Sequence, residues 1–76
     1  MNRIDRAFQS NGEARVRFQD GDFQILDPGD FVRCAVTGKH IPLTELRYWN
    51  VDLQEAYASS DVALQRYREL RARGLL

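Results

Sequence analysis

The residues of this chain best suited to chemistry are Cys34 and His40, which lie six positions apart. Cys34 opens the run Cys-Ala-Val-Thr-Gly, and a Cys-x-x-Cys-Gly turn in its place would supply two thiolates to a structural zinc ion. Thr37 stands at the second ligand position, and a closed zinc site needs four Cys or His ligands. We therefore expect no structural zinc ion within one chain and no other cofactor.

Two chemical roles for Cys34 stay open beside a structural one. A nucleophilic or redox-active thiol needs a lowered pKa and a base such as His40 within hydrogen-bond reach. Alternatively, Cys34 and His40 could share a metal ion between two chains. Free cysteines on strands mostly behave as small buried apolar residues, and this is the interpretation we adopt. No acidic pair is spaced for acid–base catalysis, and so small a domain rarely encloses a substrate pocket. The sequence predicts neither an enzyme nor a small-molecule ligand.

Length and composition place the chain among small single domains. We divide its 76 residues into a flexible N-terminal arm, residues 1–13, and one domain, residues 14–76. One cysteine excludes an intramolecular disulfide and fits a reducing compartment. The N-terminus has no apolar run typical of a signal peptide, and no segment reaches the length of a membrane span. We expect a cytoplasmic protein without membrane contact.

Charge is unevenly distributed although the net charge is zero. Residues 1–19 hold four arginines against two acids, residues 20–61 hold eight acids against three basic residues, and residues 62–76 hold four arginines against Glu69. Ten of the eleven basic residues are arginine. A neutral chain removes the simplest argument for nucleic-acid binding.

The apolar pattern predicts a short β-hairpin, further strands and a C-terminal helix. Period-two alternation on both sides of Asp20-Gly21 indicates a hairpin with a type I′ turn. Further strands are expected over residues 31–36, 48–51 and 55–57, with one helical turn over 43–46. A serine cap at Ser59 or Ser60 starts a helix that runs to about Arg73 and stops at Gly74.

These elements predict an α+β fold, a small antiparallel sheet of four or five short strands with one C-terminal α-helix packed on it. The expected core is Val16, Phe18, Phe23, Ile25, Phe31, Val32, Cys34, Val36, Ile41, Leu46, Trp49, Tyr57, Val62, Tyr67 and Leu70. The helix is expected to bury a stripe of Val62, Ala63, Tyr67 and Leu70, with Leu64 at its margin.

Residues 34–67 resemble a degenerate treble clef, the knuckle, hairpin and helix unit of YHS- and TRASH-type zinc modules. The matching residues are Cys34, Gly38, Tyr48, Trp49, Tyr57, Ser59 and Tyr67. The resemblance implies four zinc-ligand positions, which are Cys34, Thr37, Ala58 and Val62 in this chain. Only the first of them carries a cysteine. The resemblance also implies that apolar packing at Val62 replaces the metal.

At the level of the whole chain, the sequence resembles a family of short bacterial proteins that is classified as a domain of unknown function. The segments that carry the resemblance are Gly-Asp-Phe-Val, Cys-Ala-Val-Thr-Gly, Ile-Pro-Leu, Leu-Arg-Tyr-Trp and Gln-Glu-Ala-Tyr. This resemblance covers roughly residues 15–65. It implies a small cytoplasmic bacterial protein and brings no activity, cofactor or catalytic residue with it.

The function expected from these observations is a non-catalytic adaptor that binds protein, either a second copy in a homodimer or an accessory partner. The residues expected to bind are Arg47, Tyr48 and Trp49 on the sheet and Arg66, Arg68, Arg71 and Arg73 on the helix. The alternative is an RNA- or ribosome-associated factor that uses the same surface, because arginines beside aromatic rings bind single strands. A thiol or inter-chain metal function of Cys34 is the third alternative.

Overall fold

The computed structural model describes residues 12–75 and confirms an α+β fold with antiparallel strand pairs and one C-terminal helix. The predicted arm, residues 1–13, lies outside the described residues except for Gly12 and Glu13. The elements are β1 (Arg15–Gln19), β2 (Asp22–Asp27), β3 (Phe31–Arg33), β4 (His40–Pro42), a 3-10 helix (Leu43–Glu45), β5 (Tyr48–Asn50), β6 (Glu55–Tyr57) and α1 (Ser60–Ala72).

The prediction of a single sheet is wrong, because the six strands form three separate antiparallel pairs, β1–β2, β3–β4 and β5–β6. Four of the strands are only three residues long, and each pairs with its neighbour in sequence rather than extending a common ladder. Isolated parallel bridges, Glu13 to Phe31 and Cys34 to Ala56, join β3 and its flanks to the other two pairs. The apolar pattern predicts no strand at His40–Pro42, where the structure has β4 paired with β3.

The first hairpin forms where the sequence predicts it, with a different turn. Phe18 pairs with Phe23 and Val16 with Ile25, so these four side chains share one face. Only Gly21 in the turn has a positive φ, of 77°, whereas a type I′ turn requires positive φ at both central residues. The turn therefore avoids the left-handed conformation at Asp20.

The base of this hairpin lies very close to β3. The Ala14 N–H donates to the Phe31 carbonyl at 2.7 Å, and the Asp30 N–H donates to the Gly12 carbonyl at 2.9 Å. A side chain at Gly29 would collide with this crossing, since its Cβ would lie 2.4 Å from the backbone nitrogen of Ala14. Position 29 thus requires glycine for space.

The helix α1 begins and ends as predicted. The Ser59 hydroxyl accepts a hydrogen bond from the Val62 N–H and caps the N-terminus, and Gly74 beyond the C-terminus has φ 73°. The predicted stripe is partly wrong: Leu70 is fully buried, but Tyr67 is 48% exposed. Arg66 turns toward the sheet in its place, because its guanidinium bonds to Glu55 on β6.

The core is smaller than predicted and includes two unexpected alanines. Phe18, Val32, Cys34, Ile41, Leu46, Tyr57 and Leu70 are buried as expected, whereas Ile25, Val36 and Tyr67 are among the exposed apolar side chains. Ala14 and Ala56 are buried where hairpins meet: Ala14 bonds to Phe31 of β3, and Ala56 bridges to Cys34. Trp49 and Val62 are partly buried against this core.

Candidate functional site

The segment from Cys34 to Lys39 folds into a tight knuckle held by backbone hydrogen bonds. The Cys34 N–H donates to the Lys39 carbonyl at 2.8 Å, and the Gly38 N–H donates to the Cys34 carbonyl at 3.0 Å. The Thr37 N–H points to the Cys34 sulfur at 3.4 Å. The knuckle therefore directs donors at the sulfur, as a thiolate ligand would require.

The electrostatic surroundings of Cys34 favour a thiolate, whereas its burial protects the sulfur. Burial acts to raise the pKa of the Cys34 thiol, but hydrogen bonds from Thr37 and from the backbone of Val36 and Ala58 outweigh it, so the pKa lies below its ordinary value. Cys34 is only 2% exposed. A reagent or a metal ion held by a second chain would reach the sulfur only after the knuckle opened.

The structure brings three of the four degenerate ligand positions together at this sulfur. The Thr37 N–H donates to the Cys34 sulfur, and the backbone of Ala58 contributes to the lowered pKa of the thiol. Val62 packs against the buried cluster that includes Cys34. Within residues 12–75 no group of three or more His, Cys, Asp and Glu side chains could hold a metal ion. His40 lies on β4, where its ring stacks on Phe31 with 3.8 Å between the ring centroids.

Cys34→Ala is expected to lower the free energy of unfolding by about 1–2 kcal/mol, because it leaves a small void and an unpaired Thr37 N–H. Urea denaturation followed by Trp49 fluorescence measures the change, and Cys34→Ser, which retains an acceptor, is the matched variant. Alkylation of native Cys34 by iodoacetamide should be limited by unfolding. Labelling at the rate of an exposed thiol would contradict the buried position.

Two side chains of the third hairpin hold the first hairpin in place. The Trp49 indole stacks on Phe18 and meets Phe23 edge-on, with 5.7 Å between centroids in both pairs, and its Nε1–H donates to the Gln19 carbonyl at 2.9 Å. The indole of the expected binding residue Trp49 is thus packed against two rings of the first hairpin, and its donor is engaged within the fold. Arg47 and Tyr48, its neighbours, are exposed.

Gln54 is the second connector, and sequence reasoning missed it. Its amide accepts from the Phe18 N–H and donates to the Phe18 carbonyl, both at 2.9 Å, and also donates to the Val51 carbonyl at 2.7 Å. Its backbone has φ 54°, the one positive φ of a non-glycine among the described residues. No glycine marks this position in the sequence, so the turn conformation had no signal.

A polar cluster fastens α1 to β6. The Glu55 carboxylate accepts from the Arg66 guanidinium through both oxygens at 3.1 Å and from the Tyr57 hydroxyl at 3.0 Å, and Arg66 also donates to Glu69 at 2.7 Å. Burial raises the pKa of Tyr57 to about 12, together with its bond to Glu55. Hydrogen bonds to Glu55 and Glu69 raise the pKa of Arg66. Arg66, expected to bind a partner, is engaged internally.

The ionised Glu55 carboxylate makes the free energy of unfolding depend on pH. Burial acts to raise the pKa of Glu55, but hydrogen bonds from Arg66 and Tyr57 and the charge of Arg66 hold it below the ordinary value of 4.5. A lowered pKa in the folded state gives stability that is present above the unfolded value and lost as the pH falls through the folded value. The difference in free energy of unfolding between the native chain and Glu55→Gln should therefore be largest at neutral pH and shrink below about pH 4.5. A constant difference across urea titrations down to pH 3 would contradict this.

The outer face of α1 comprises the exposed residues Leu64, Tyr67, Arg68 and Arg71, which follow one another at i, i+3, i+4 and i+7 spacing. Leu64 is 47% and Tyr67 48% exposed, and the Arg71 guanidinium lies 5.9 Å from the centroid of the Tyr67 ring. Among residues 12–75, neither Arg68 nor Arg71 makes an ion pair, whereas Arg73 approaches Glu69 at 3.9 Å. This face therefore combines two large, mainly apolar side chains with two cationic ones.

A cavity of about 240 Å³ lies between the first hairpin and the rest of the fold. Its polar lining is already paired: Arg15 with Asp27, Glu13 with Arg33, and Gln54 with Phe18. The remaining lining is mainly small and apolar. The cavity therefore presents no unpaired buried polar group to a ligand.

Comparison with known proteins identifies the family but no activity. No helix within the described residues is long and apolar enough to cross a membrane. Neither the curated proteins nor the solved structures contain a match to this chain. The family described as "Uncharacterized protein conserved in bacteria (DUF2093)" matches residues 25–66, more than half of the chain. The chain, with its Cys34 knuckle and the first part of α1 inside the matched region, therefore belongs to the bacterial family DUF2093.

Proposed function

We propose that this chain is a non-catalytic protein-binding module and that the outer face of α1 is its docking surface. One observation carries the proposal: Leu64 and Tyr67 are about half exposed on a helix whose inner face is already packed through Leu70. Large apolar side chains on both faces of a surface helix are uncommon in a chain that functions alone, because one apolar stripe is enough to pack it on a core.

The chemistry of the outer face suits a protein partner. Tyrosine and arginine are enriched at the energetic centres of interfaces, and the Arg71 guanidinium already lies beside the Tyr67 ring, which limits the entropy lost on binding. Arg47 and Tyr48 are exposed at β5, the strand on which α1 packs, and the proposed docking surface is limited to the outer face of α1. Trp49 and Arg66 are left out of the proposed surface since their polar groups hold the fold together.

Site-specific photo-crosslinking in the bacterial host tests the proposal. A benzoylphenylalanine at position 67 should give a covalent adduct with a discrete protein. The same residue at position 65, which is exposed and lies about 160° around the helix from position 67, is the matched control and should give none. Equal adducts from both positions, or none from either, would contradict docking through the outer face.

Binding of RNA through the same face is the second candidate. It is favoured by Arg68 and Arg71 beside an exposed tyrosine, an arrangement that can stack on and neutralise a single strand. Affinity for a single-stranded RNA would then fall linearly with salt on logarithmic axes. Weak binding with no such slope would exclude this candidate and leave the protein partner. A thiol or metal function of Cys34 has less support, because its sulfur is buried.

A further inference from the structure

We propose that the partner of the outer face of α1 is a second copy of this chain, and that it docks reciprocally on the tip of the β1–β2 hairpin, from Asp20 to Asp22. This inference rests on the proposed function and names the partner for the same surface. Each copy would offer its helix to the hairpin of the other, so that two identical contacts close a two-fold dimer.

The two surfaces have opposite charge. The outer face of α1 contributes Arg68 and Arg71 in its C-terminal half, and the one acid on the same side, Asp61, lies two turns before Arg68 in the first turn. The hairpin tip contributes Asp20 and Asp22, which form no ion pair within the part of the chain that the structure describes. The base of the hairpin is neutralised separately, since Arg15 contacts Asp27 at 2.6 Å. Among the described residues, two arginines without an ion pair on one surface thus correspond to two aspartates without an ion pair on the other.

Both surfaces also expose apolar side chains. Ile25 on β2 is 51% exposed and Leu26 is 37% exposed, similar to Leu64 and Tyr67 on the helix. Within residues 12–75 the strand β2 pairs only with β1, so its outer edge is unpaired. The hairpin is therefore an incompletely covered element, with an apolar strand that leads to an acidic tip.

Pairing of β2 with its own copy is a poor way to cover that edge. In the centred antiparallel register, Asp22 of each strand would lie opposite Asp27 of the other, and like charges directly opposite each other are destabilising. If α1 of the partner docks on the hairpin instead, its arginines lie near these aspartates and there is no such repulsion. An anionic nucleic acid suits the pair of surfaces less well, because the hairpin tip would repel phosphate and the whole chain is neutral.

A charge exchange between the two surfaces tests the inference by native mass spectrometry and light scattering. The helix variant carries Arg68→Glu with Arg71→Glu, and the hairpin variant carries Asp20→Lys with Asp22→Lys. The native chain should form dimers that weaken as salt is raised. Each variant alone should dimerise about 100-fold more weakly, because its two surfaces then have the same sign.

The decisive sample is the equimolar mixture of the two variants. Since one offers only negative and the other only positive surfaces, the mixture should form a one-to-one heterodimer and no homodimer, and a chain with all four changes should dimerise again. Circular dichroism and Trp49 fluorescence check folding, and the milder pair Asp20→Asn with Asp22→Asn should still weaken the dimer if the lysines disturb the turn. A native chain that stays monomeric up to about 1 mM, or a mixture without heterodimer, overturns the inference.

The two proposals fail separately. If the photo-crosslinker at position 67 captures a different protein while the purified chain stays monomeric, the outer face is a docking surface and self-docking is wrong. If position 67 captures another copy but the charge exchange has no effect, the copies meet through a different part of the partner. If position 67 captures nothing and the chain is monomeric, both proposals are wrong.

Discussion

Trp49→Ala should lower the free energy of unfolding of this protein by about 3 kcal/mol. The indole bridges both strands of the first hairpin, stacking on Phe18 and meeting Phe23 edge-on, and it bonds to the Gln19 carbonyl. Truncating a large aromatic side chain typically costs about 3–5 kcal/mol, and partial burial places this substitution near 3 kcal/mol. The total free energy of unfolding of a domain of this size is about 4–11 kcal/mol, so the substitution removes a large share of it.

Urea denaturation followed by far-ultraviolet circular dichroism measures the effect, because the variant has no tryptophan. Trp49→Phe is the matched control: it keeps an aromatic ring against Phe18 and loses the Nε1–H bond, so it should cost about 1 kcal/mol for the bond plus a small packing loss. If Trp49→Ala and Trp49→Phe have the same midpoint as the native chain, the indole is not a structural connector and is available for a partner.

Gln54→Ala should lower the free energy of unfolding by about 2–3 kcal/mol, because it leaves the N–H and the carbonyl of Phe18 without their partners. The side chain acts as a short substitute for a neighbouring strand at the inner edge of β1. Denaturation by urea, read from Trp49 fluorescence, is suitable here because the probe lies in the same interface.

Two further substitutions separate the causes of that loss. Gln54→Glu keeps an acceptor for the Phe18 N–H but has no donor for the Phe18 carbonyl. Its free energy of unfolding should therefore be lower than that of the native chain. Gln54→Gly removes the same bonds as alanine but adopts φ 54° without strain, so it should be less harmful than alanine. If glycine is more stable than the native glutamine, backbone strain outweighs the hydrogen bonds at this position.

Local structure in this chain follows from local sequence. The alternation on both sides of Gly21, the Ser59 cap and the Gly74 stop were sufficient to predict the first hairpin and α1. The arrangement of the hairpins was not predictable in the same way, because strands of three residues carry no pattern that specifies a neighbour across a sheet. The wrong prediction that Tyr67 is buried has a similar origin. Helical spacing alone does not show that Arg66 bonds to Glu55 on β6, which places Arg66 rather than Tyr67 toward the strands.

The candidate site was predicted in part. The knuckle at Cys34 was evident from the sequence, and the structure gathers Thr37 and Ala58 at its sulfur. Of the expected binding residues on the helix, Arg68 and Arg71 remain in the proposed surface, whereas Arg66 and Arg73 pair with acids of the fold. Trp49 does not, because an aromatic ring beside an arginine has the same sequence signature whether it stacks on a partner or on its own fold.

The manner in which the first hairpin is attached has a consequence for motion. Its base is joined to β3 by backbone hydrogen bonds at Ala14 and Gly12. Within residues 12–75, the hydrogen bonds that attach its far end to the rest of the fold come from the side chains of Trp49 and Gln54, and the cavity lies between these two attachments. This is the arrangement of a hinge and a latch. Releasing the latch costs a few side-chain contacts and leaves the ladders of β3–β4 and β5–β6 intact, so the amide protons of β1 and β2 should exchange with solvent together, at a lower opening free energy than those of the remaining strands.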